Sequence, residues 1–589
     1  MNTSLVEIRN LSIAFAGRRV VDGVSLTIER GKTLGIVGES GSGKSLTALS
    51  LMGLVPAPGV VAGDIRFDRL DIGAQSEAAM RSLRGRRLAM IFQDPSSALN
   101  PVFTVGAQIA EAYRLHHAAS RADAEARALA ALHEVAIPDP ELRARSYPHQ
   151  LSGGMRQRAM IAMALVNEPE LLIADEPTTA LDATVQAQIL ELIRALQARR
   201  GVSVLFISHD LRVVADMADD VVVMRHGKIV ERAAPAQLFE SPAHDYTRAL
   251  IRAAELPPKR ASAPPGPTLI EVQGLTKHFA LKAPGLFGRR LGTVQALTDV
   301  SFTVARGETF AIVGESGCGK STLARTLLGL HEANAGGITL DGVAVAPQAA
   351  DRTPALRRRL QMVFQDPYGS LNPRLTAAES VAEPLVIHGI GGTRERSAEA
   401  ARAVGLEPGD LAKFPHAFSG GERQRIAIAR ALVAEPDLIV ADEPLSSLDV
   451  SIQAQIIELL SRLKEERSLT YIFISHDLPV VAHLADRVAV MYLGRIVETA
   501  QAESLFVSAL HPYTQMLLAA SPRKLGEKRA RQSSPRGEPA SSVHPPPGCP
   551  FHPRCPKVQE ICRVERPVLA PKTNVRAHHL AACHFPDAV

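Results

Sequence analysis

Four blocks of this chain occur twice in the same order, and that duplication constrains the fold more than any other feature. Gly38-Glu39-Ser40-Gly41-Ser42-Gly43-Lys44-Ser45 returns as Gly314-Glu315-Ser316-Gly317-Cys318-Gly319-Lys320-Ser321, and Leu151-Ser152-Gly153-Gly154-Met155-Arg156-Gln157-Arg158 as Phe418-Ser419-Gly420-Gly421-Glu422-Arg423-Gln424-Arg425. Ile173-Ala174-Asp175-Glu176-Pro177 returns as Val440-Ala441-Asp442-Glu443-Pro444, and Ile207-Ser208-His209-Asp210 as Ile474-Ser475-His476-Asp477. Two homologous domains follow. A chain of 589 residues is in any case too long for one hydrophobic core.

The punctuation divides the chain into five segments. A first domain spans 1–256, and a linker at 257–268 carries Pro257, Pro258, Pro264, Pro265 and Pro267, which disfavour helix. A second domain spans 269–520, a polar Pro-rich stretch covers 521–547, and a cysteine-rich extension covers 548–589. Each copy reads as α/β. The apolar runs Thr33-Leu34-Gly35-Ile36-Val37, Leu171-Leu172-Ile173-Ala174 and Val204-Leu205-Phe206-Ile207 have the length of buried strands. Helix is predicted from Leu46 to Leu51, and one helical stretch from about Glu111 to His133 forms an inserted subdomain. Functional residues at the ends of buried strands suit an open α/β sheet.

The loop G-x-x-x-x-G-K-S binds phosphate. Gly38, Gly41 and Gly43, with Gly314, Gly317 and Gly319 in the second copy, let successive N–H groups face an anion. The helix that follows adds its positive end. Lys44 and Lys320 neutralise β- and γ-phosphates, and Ser45 and Ser321 ligate Mg²⁺. Asp175 and Asp442 end strands where a carboxylate binds Mg²⁺, directly or through water. Glu176 and Glu443 come next, placed to activate the attacking water.

The Ser-Gly-Gly-x-x-Gln-Arg element makes the chain resemble the ATP-binding-cassette family up to about residue 520. That resemblance implies two tandem P-loop ATPase domains, each with a RecA-like core and a helical subdomain. It implies that Ser152, Gly153 and Gly154 contact the γ-phosphate of a nucleotide held by the opposite half, as do Ser419, Gly420 and Gly421. Gln93 and Gln365 match the loop that senses Mg²⁺, Asp182 and Asp449 the D-loop, and His209 and His476 the switch histidine. Phe15 and Phe279 stand where the family stacks an aromatic on adenine; a core role is the alternative. Ser40, Ser42, Ser316 and Cys318 complete the two phosphate loops, Cys318 reading as a small filler. ATP would bind at two head-to-tail sites, both hydrolytic.

Three features resemble the dipeptide and oligopeptide importer branch, including the double-cassette ATPases of peptide and glutathione importers. They are Asp94-Pro95-Ser96-Ser97-Ala98-Leu99-Asn100-Pro101 with its counterpart Asp366-Pro367-Tyr368-Gly369-Ser370-Leu371-Asn372-Pro373, the pair His244-Asp245-Tyr246-Thr247 and His511-Pro512-Tyr513-Thr514, and the tail beginning Gly548-Cys549-Pro550-Phe551. Tail cysteines spaced C-x5-C-x6-C-x20-C (Cys549, Cys555, Cys562, Cys583) offer four soft donors. In a reducing cytosol disulfides are disfavoured. The resemblance favours a [4Fe–4S] cluster; zinc and unmetallated thiols stay open, with His552, His578, His579 and His584 as alternative ligands or surface residues.

No apolar run reaches the roughly 18–20 residues that span a bilayer, and the start lacks the basic and apolar blocks of a signal peptide. The net charge of +5 argues for neither a lipid nor a nucleic-acid partner. The expected place is the cytoplasmic face of the bacterial inner membrane, peripheral, through two permease subunits served by a solute-binding protein. The alternative is a soluble tandem cassette acting on ribosomes or DNA; the short Pro-rich joint, and cysteines lying outside the cassettes, speak against it.

Overall fold

The structure, a computed structural model, describes residues 4–179, 181–255, 266–282, 290–446, 448–521, 537, 540–571 and 578–586. Most of the predicted linker 257–268 and of the stretch 521–547 lies outside the described residues.

Each half pairs two sheets. In the first, Arg18–Glu29, Ser4–Phe15, Val60–Phe67 and Leu70–Asp71 make an antiparallel sheet. Beside it a six-stranded sheet runs Lys228–Ala233, Asp220–Arg225, Thr33–Val37, Ser203–Ile207, Leu171–Asp175, Leu88–Ile91. Its central strands are parallel and buried along their whole length. This is why they read as unbroken apolar runs rather than alternating ones. The second half repeats the plan, with Arg495–Gln501, Arg487–Tyr492, Thr309–Val313, Thr470–Ile474, Leu438–Asp442 and Leu360–Val363 in the same spatial order.

At one edge the halves differ. The second sheet has eight strands, because the tail adds Leu580–Ala581 and Ala570–Pro571 beside Arg495–Gln501. Phe551 from the tail is fully buried and meets Tyr492 edge-on, with ring centroids 5.4 Å apart. The tail thus belongs to the hydrophobic core of the second half.

The predicted helix over about 111–133 is two helices, Val105–Arg114 and Arg121–Glu134. The break has a local cause: Ser120 Oγ accepts from Asp123 N at 3.1 Å and starts the second helix as its N-cap. These helices and Gly153–Leu165 pack around Ile109, Leu132 and Ile161 to form the subdomain. Its counterpart comprises Ala377–Ile387, Thr393–Ala403 and Gly420–Leu432.

The halves touch reciprocally. Helix Asp245–Ala254 packs on Val450–Arg467, and Pro512–Ala520 packs on Ala183–Arg200. The segments carrying the duplicated motifs therefore meet along one approximately two-fold seam.

Candidate functional site

Parallel strands deliver the chemistry at their C-terminal ends, as open α/β sheets do. Thr33–Val37 runs into the phosphate loop, and the next helix starts at Lys44. Only glycine fits at the loop's first position: a Cβ on Gly38 would stand 2.2 Å from the Met224 carbonyl oxygen, and one on Gly314 2.3 Å from that of Met491. Buried Lys44 donates from Nζ to the Gly38 and Glu39 carbonyls, both at 2.8 Å; Lys320 does so to Gly314 and Glu315 at 2.7 and 3.1 Å.

Leu171–Asp175 ends on a buried carboxylate whose Oδ1 accepts from Ser45 Oγ at 3.0 Å, and Asp442 accepts from Ser321 at the same distance. Glu176 follows in the left-handed region, φ 47°, as does Glu443 at 46°. Such φ values are uncommon for a residue with a side chain. A hydrogen bond to the neighbouring strand holds each one, Glu176 N to Ile207 O and Glu443 N to Ile474 O, both 2.9 Å. The turn aims each glutamate at a set of partners. Gln93 Nε2 lies 3.0 Å and His209 Nδ1 3.2 Å from Glu176 Oε2; Gln365 and His476 stand 3.0 and 3.3 Å from Glu443.

Electrostatics split the adjacent carboxylates. Burial pushes the Asp175 carboxyl up to about 6, against the Ser45 hydrogen bond, and Asp442 moves the same way. Burial also disfavours charge on Glu176 and Glu443. There, however, the hydrogen bond and charge of the facing histidine outweigh it and hold both below the usual carboxylate value. By the same pairing His209 and His476 lie above the usual imidazole value although buried. Burial lowers Lys44, opposed by Glu176 and Asp175. Each half thus presents an ionised glutamate able to take a proton, beside hard oxygen donors and a buried ammonium.

The remaining predicted residues fall as follows. Ser40, Gly41, Ser316 and Gly317 are exposed on the loop, while Ser42 and Cys318 are buried beneath it, which fits the filler reading of Cys318. Phe15 is half-buried against the core, and half-buried Phe279 meets His331 edge-on at 5.3 Å. Ser152 Oγ accepts from Met155 N at 3.2 Å and Ser419 Oγ from Glu422 N at 3.4 Å, so both serines cap their own helices. Gly154 and Gly421 let those helices abut the next element, since a Cβ would stand 2.8 Å from Val185 and 2.4 Å from Ile452.

Across the seam the segments that carry Asp182 and Ser451 reach the opposite glycine-rich loops. Asp182 Oδ2 accepts from Ser316 N at 3.2 Å, and Ser451 Oγ donates to Glu39 Oε1 at 3.3 Å. Between them lies a cavity of about 130 Å³ lined by Thr179, His209 and Arg212 of the first half and Glu443, His476 and Asp477 of the second.

Sequence reasoning missed several residues. Thr179 Oγ1 donates to Glu176 at 2.9 Å, and Gln157 Nε2 to the Pro177 carbonyl at 2.6 Å. Tyr246 OH accepts from Glu39 N at 3.3 Å and Tyr513 OH from Glu315 N at 2.8 Å. The repeated His-x-Tyr was visible, but its partner in the phosphate loop lies about two hundred residues away in sequence and leaves no local pattern.

The tail thiols gather. Cys549, Cys555, Cys562 and Cys583 line one small cavity of about 10 Å³ together with Phe551 and His552. Burial first, then the neighbouring thiols, pushes Cys549 up to about 11. Among the described residues no group of three or more His, Cys, Asp or Glu side chains is placed to hold a metal ion, so the structure does not support the expected [4Fe–4S] cluster. His579, one of the alternative ligands, has one ring nitrogen engaged elsewhere: its Nε2 sits 2.7 Å from Glu498 Oε1, both side chains fully buried.

The family model described as ABC transporter matches residues 21–179 and 297–446. The chain belongs to the ABC transporter family. A second family model, described as oligopeptide/dipeptide transporter, C-terminal region, matches residues 230–272 and 497–562. Glutathione import ATP-binding protein GsiA of Salmonella typhimurium is 47% identical over 558 residues, covering 88% of this chain and 89% of that protein. The protein of the same name from Pectobacterium atrosepticum is 46% identical over 568 residues, covering 90% and 91%. Among solved structures, the dimeric bacterial cassette MJ0796 is 30% identical over 40% of this chain and 99% of that one, with a TM-score of 0.36. This ABC ATPase couples ATP hydrolysis to transport and stands in the peptide-importer branch. The alternative of a ribosome- or DNA-directed cassette finds no support in these likenesses. Among the described residues no helix is long and apolar enough to cross a membrane.

Proposed function

We propose that this ABC ATPase powers import of glutathione or similarly short peptides, using two ATP molecules held head to tail between its halves. The substrate class rests on the relatives' names. The head-to-tail arrangement rests on one observation above the others: Asp182 of the first half bonds to Ser316 in the second half's phosphate loop.

In each site the glycine loop and Lys44 or Lys320 bind the β- and γ-phosphates, and the serines of the opposite signature, Ser419 or Ser152, close over them. Ser45, Gln93 and Asp175, with Ser321, Gln365 and Asp442, are the oxygen donors for Mg²⁺, a donor set that fits a hard cation. Bound there, Mg²⁺ offsets phosphate charge. Glu176 and Glu443, kept ionised by their histidines, accept the proton of the attacking water. The backbone turn at each glutamate sets the direction of that transfer.

Permease subunits supply the membrane path, so the protein works peripherally at the inner face of the inner membrane, fed by a solute-binding protein. A groove of about 1050 Å³ beside the 94–101 segment, lined by Phe103, Gln108, Arg114 and Glu141 among others, suits a permease's cytoplasmic helix. In the tail, four soft sulfur donors line one cavity, and soft sulfur is the donor chemistry that a [4Fe–4S] cluster takes, although the space of about 10 Å³ leaves no room for a multi-atom centre with the thiols as they stand. Iron and sulfide assay after anaerobic purification tests that assignment.

Glu176→Gln and Glu443→Gln, made separately, each lower ATP turnover of the permease-bound complex at least tenfold at the altered site, within the range for a lost general base. Unchanged turnover in either variant would refute a two-site engine. Stimulation of the complex by binding protein loaded with glutathione, against longer peptides, tests the substrate class.

A further inference from the structure

The two phosphate loops are nearly superimposable in sequence, but the structure holds them differently. In the first half the Glu39 side chain faces across the seam to Ser451, and exposed Arg225 lies over the Tyr246 ring, 4.6 Å from its centroid. Tyr246 in turn accepts the Glu39 N–H. In the second half the position matching Arg225 is Tyr492, fully buried against Tyr513. The cation comes instead from the cysteine-rich tail. Arg554 Nη1 and Nη2 donate to Glu315 Oε2 and Oε1 at 2.7 and 2.9 Å, a two-pronged ion pair whose side chains are 3% and 2% exposed.

Glu315 is therefore fixed at three points. Its N–H goes to Tyr513, its carboxylate to Arg554, and its carbonyl accepts from Lys320. A paired guanidinium–carboxylate of this geometry is rigid and strongly directional. Remove the cation and a buried carboxylate is left uncompensated, inside the very loop that must receive a triphosphate. Glu39 is not buried in this way and needs no such partner.

We propose that Arg554 is a positioning residue for the second ATP site alone: by neutralising and clamping Glu315 it sets the phosphate loop that carries Lys320. This rests on reading the Lys44 and Lys320 loops as the ATP sites. The tail, through the residue next to Cys555, thereby acts on one of two otherwise matched sites.

The test is equilibrium binding of Mg·ATP to the full-length chain, with one site silenced at a time. Lys44→Ala leaves the second site to be read, Lys320→Ala leaves the first, and the double variant controls for the loops themselves. Arg554→Met weakens ATP at least tenfold in the Lys44→Ala background and by less than twofold in the Lys320→Ala background. Arg554→Lys, which keeps the charge and loses the fork, gives an intermediate loss. Adding Glu315→Gln to Arg554→Met removes the orphaned charge and restores affinity to within about fivefold of the parent, as coupled partners do. Equal weakening at both sites, no weakening, or no recovery in the double variant each overturns the proposal. Residual ATP binding in Lys44→Ala/Lys320→Ala would instead overturn the reading of the loops on which it stands.

Discussion

Asp182→Asn is the sharpest probe of how the halves meet. The Asp182 side chain serves two N–H groups at once: Oδ1 accepts from Val185 N at 2.9 Å, capping its own helix, and Oδ2 accepts from Ser316 N at 3.2 Å across the seam. Asparagine caps helices as well as aspartate, so the first half keeps its stability. With the amide oxygen kept on the Val185 N–H of its own helix, the NH₂ faces the Ser316 N–H, which loses its acceptor. A hydrogen bond to a charged group contributes about 1.5–3 kcal/mol, which corresponds to roughly tenfold to hundredfold in affinity. That loss falls on ATP binding at the second site, read in the Lys44→Ala background; the first site, read in Lys320→Ala, is unaffected. Asp182→Ala removes the cap as well and adds a stability loss of about 1 kcal/mol. Asp449→Asn gives the smaller effect, since Asp449 Oδ1 is engaged with Ile452 N and Ser451 Oγ beside it. Equal losses at both sites for Asp182→Asn, or none, would refute the cross-seam reasoning.

Gly314→Ala puts a Cβ 2.3 Å from the Met491 carbonyl and 2.8 Å from Cys318 Sγ; the loop must shift, and ATP binding at the second site falls more than tenfold by titration, while the first site holds. Burial lowers the His511 imidazole to about 4, opposed by Glu498, whose carboxylate also takes the Leu510 and His511 N–H groups and sits 2.7 Å from His579 Nε2. With the free-chain value near 6.5, this stabilisation is complete above about pH 6.5 and declines as pH falls toward 4, by roughly 3 kcal/mol in all. His511→Asn, which keeps an acceptor for Tyr513 N, flattens that decline; hydrogen exchange in helix Pro512–Ala520 between pH 7 and 4 measures it, and identical profiles would count against the assignment.

Much of the molecule was legible because its chemistry is local. A phosphate loop needs its glycines, lysine and serine within eight consecutive residues, and a buried parallel strand needs an unbroken apolar run. The loops at Lys44 and Lys320, the strands before them and the Asp-Glu pairs could therefore be read one segment at a time. The helix break at Ser120 was also written locally, as a serine three residues before an N–H that needs a partner, yet the alanine-rich run concealed it. Other features depend on residues brought together only by packing. Nothing near Tyr513 indicates that its hydroxyl holds Glu315, and nothing in the tail indicates that Arg554 faces the same residue.

By itself the sequence determined the duplication, the fold class and which polar groups stand on the glycine-rich loops and at the strand ends, since each is encoded in contiguous residues or short spacings. Tertiary structure alone decided that the cysteine tail completes the second sheet, that its arginine enters one phosphate loop and not the other, and that Asp182 crosses the seam. Those choices depend on which distant side chain can bury a charge against which carboxylate, a matter of three-dimensional proximity that a linear pattern does not record.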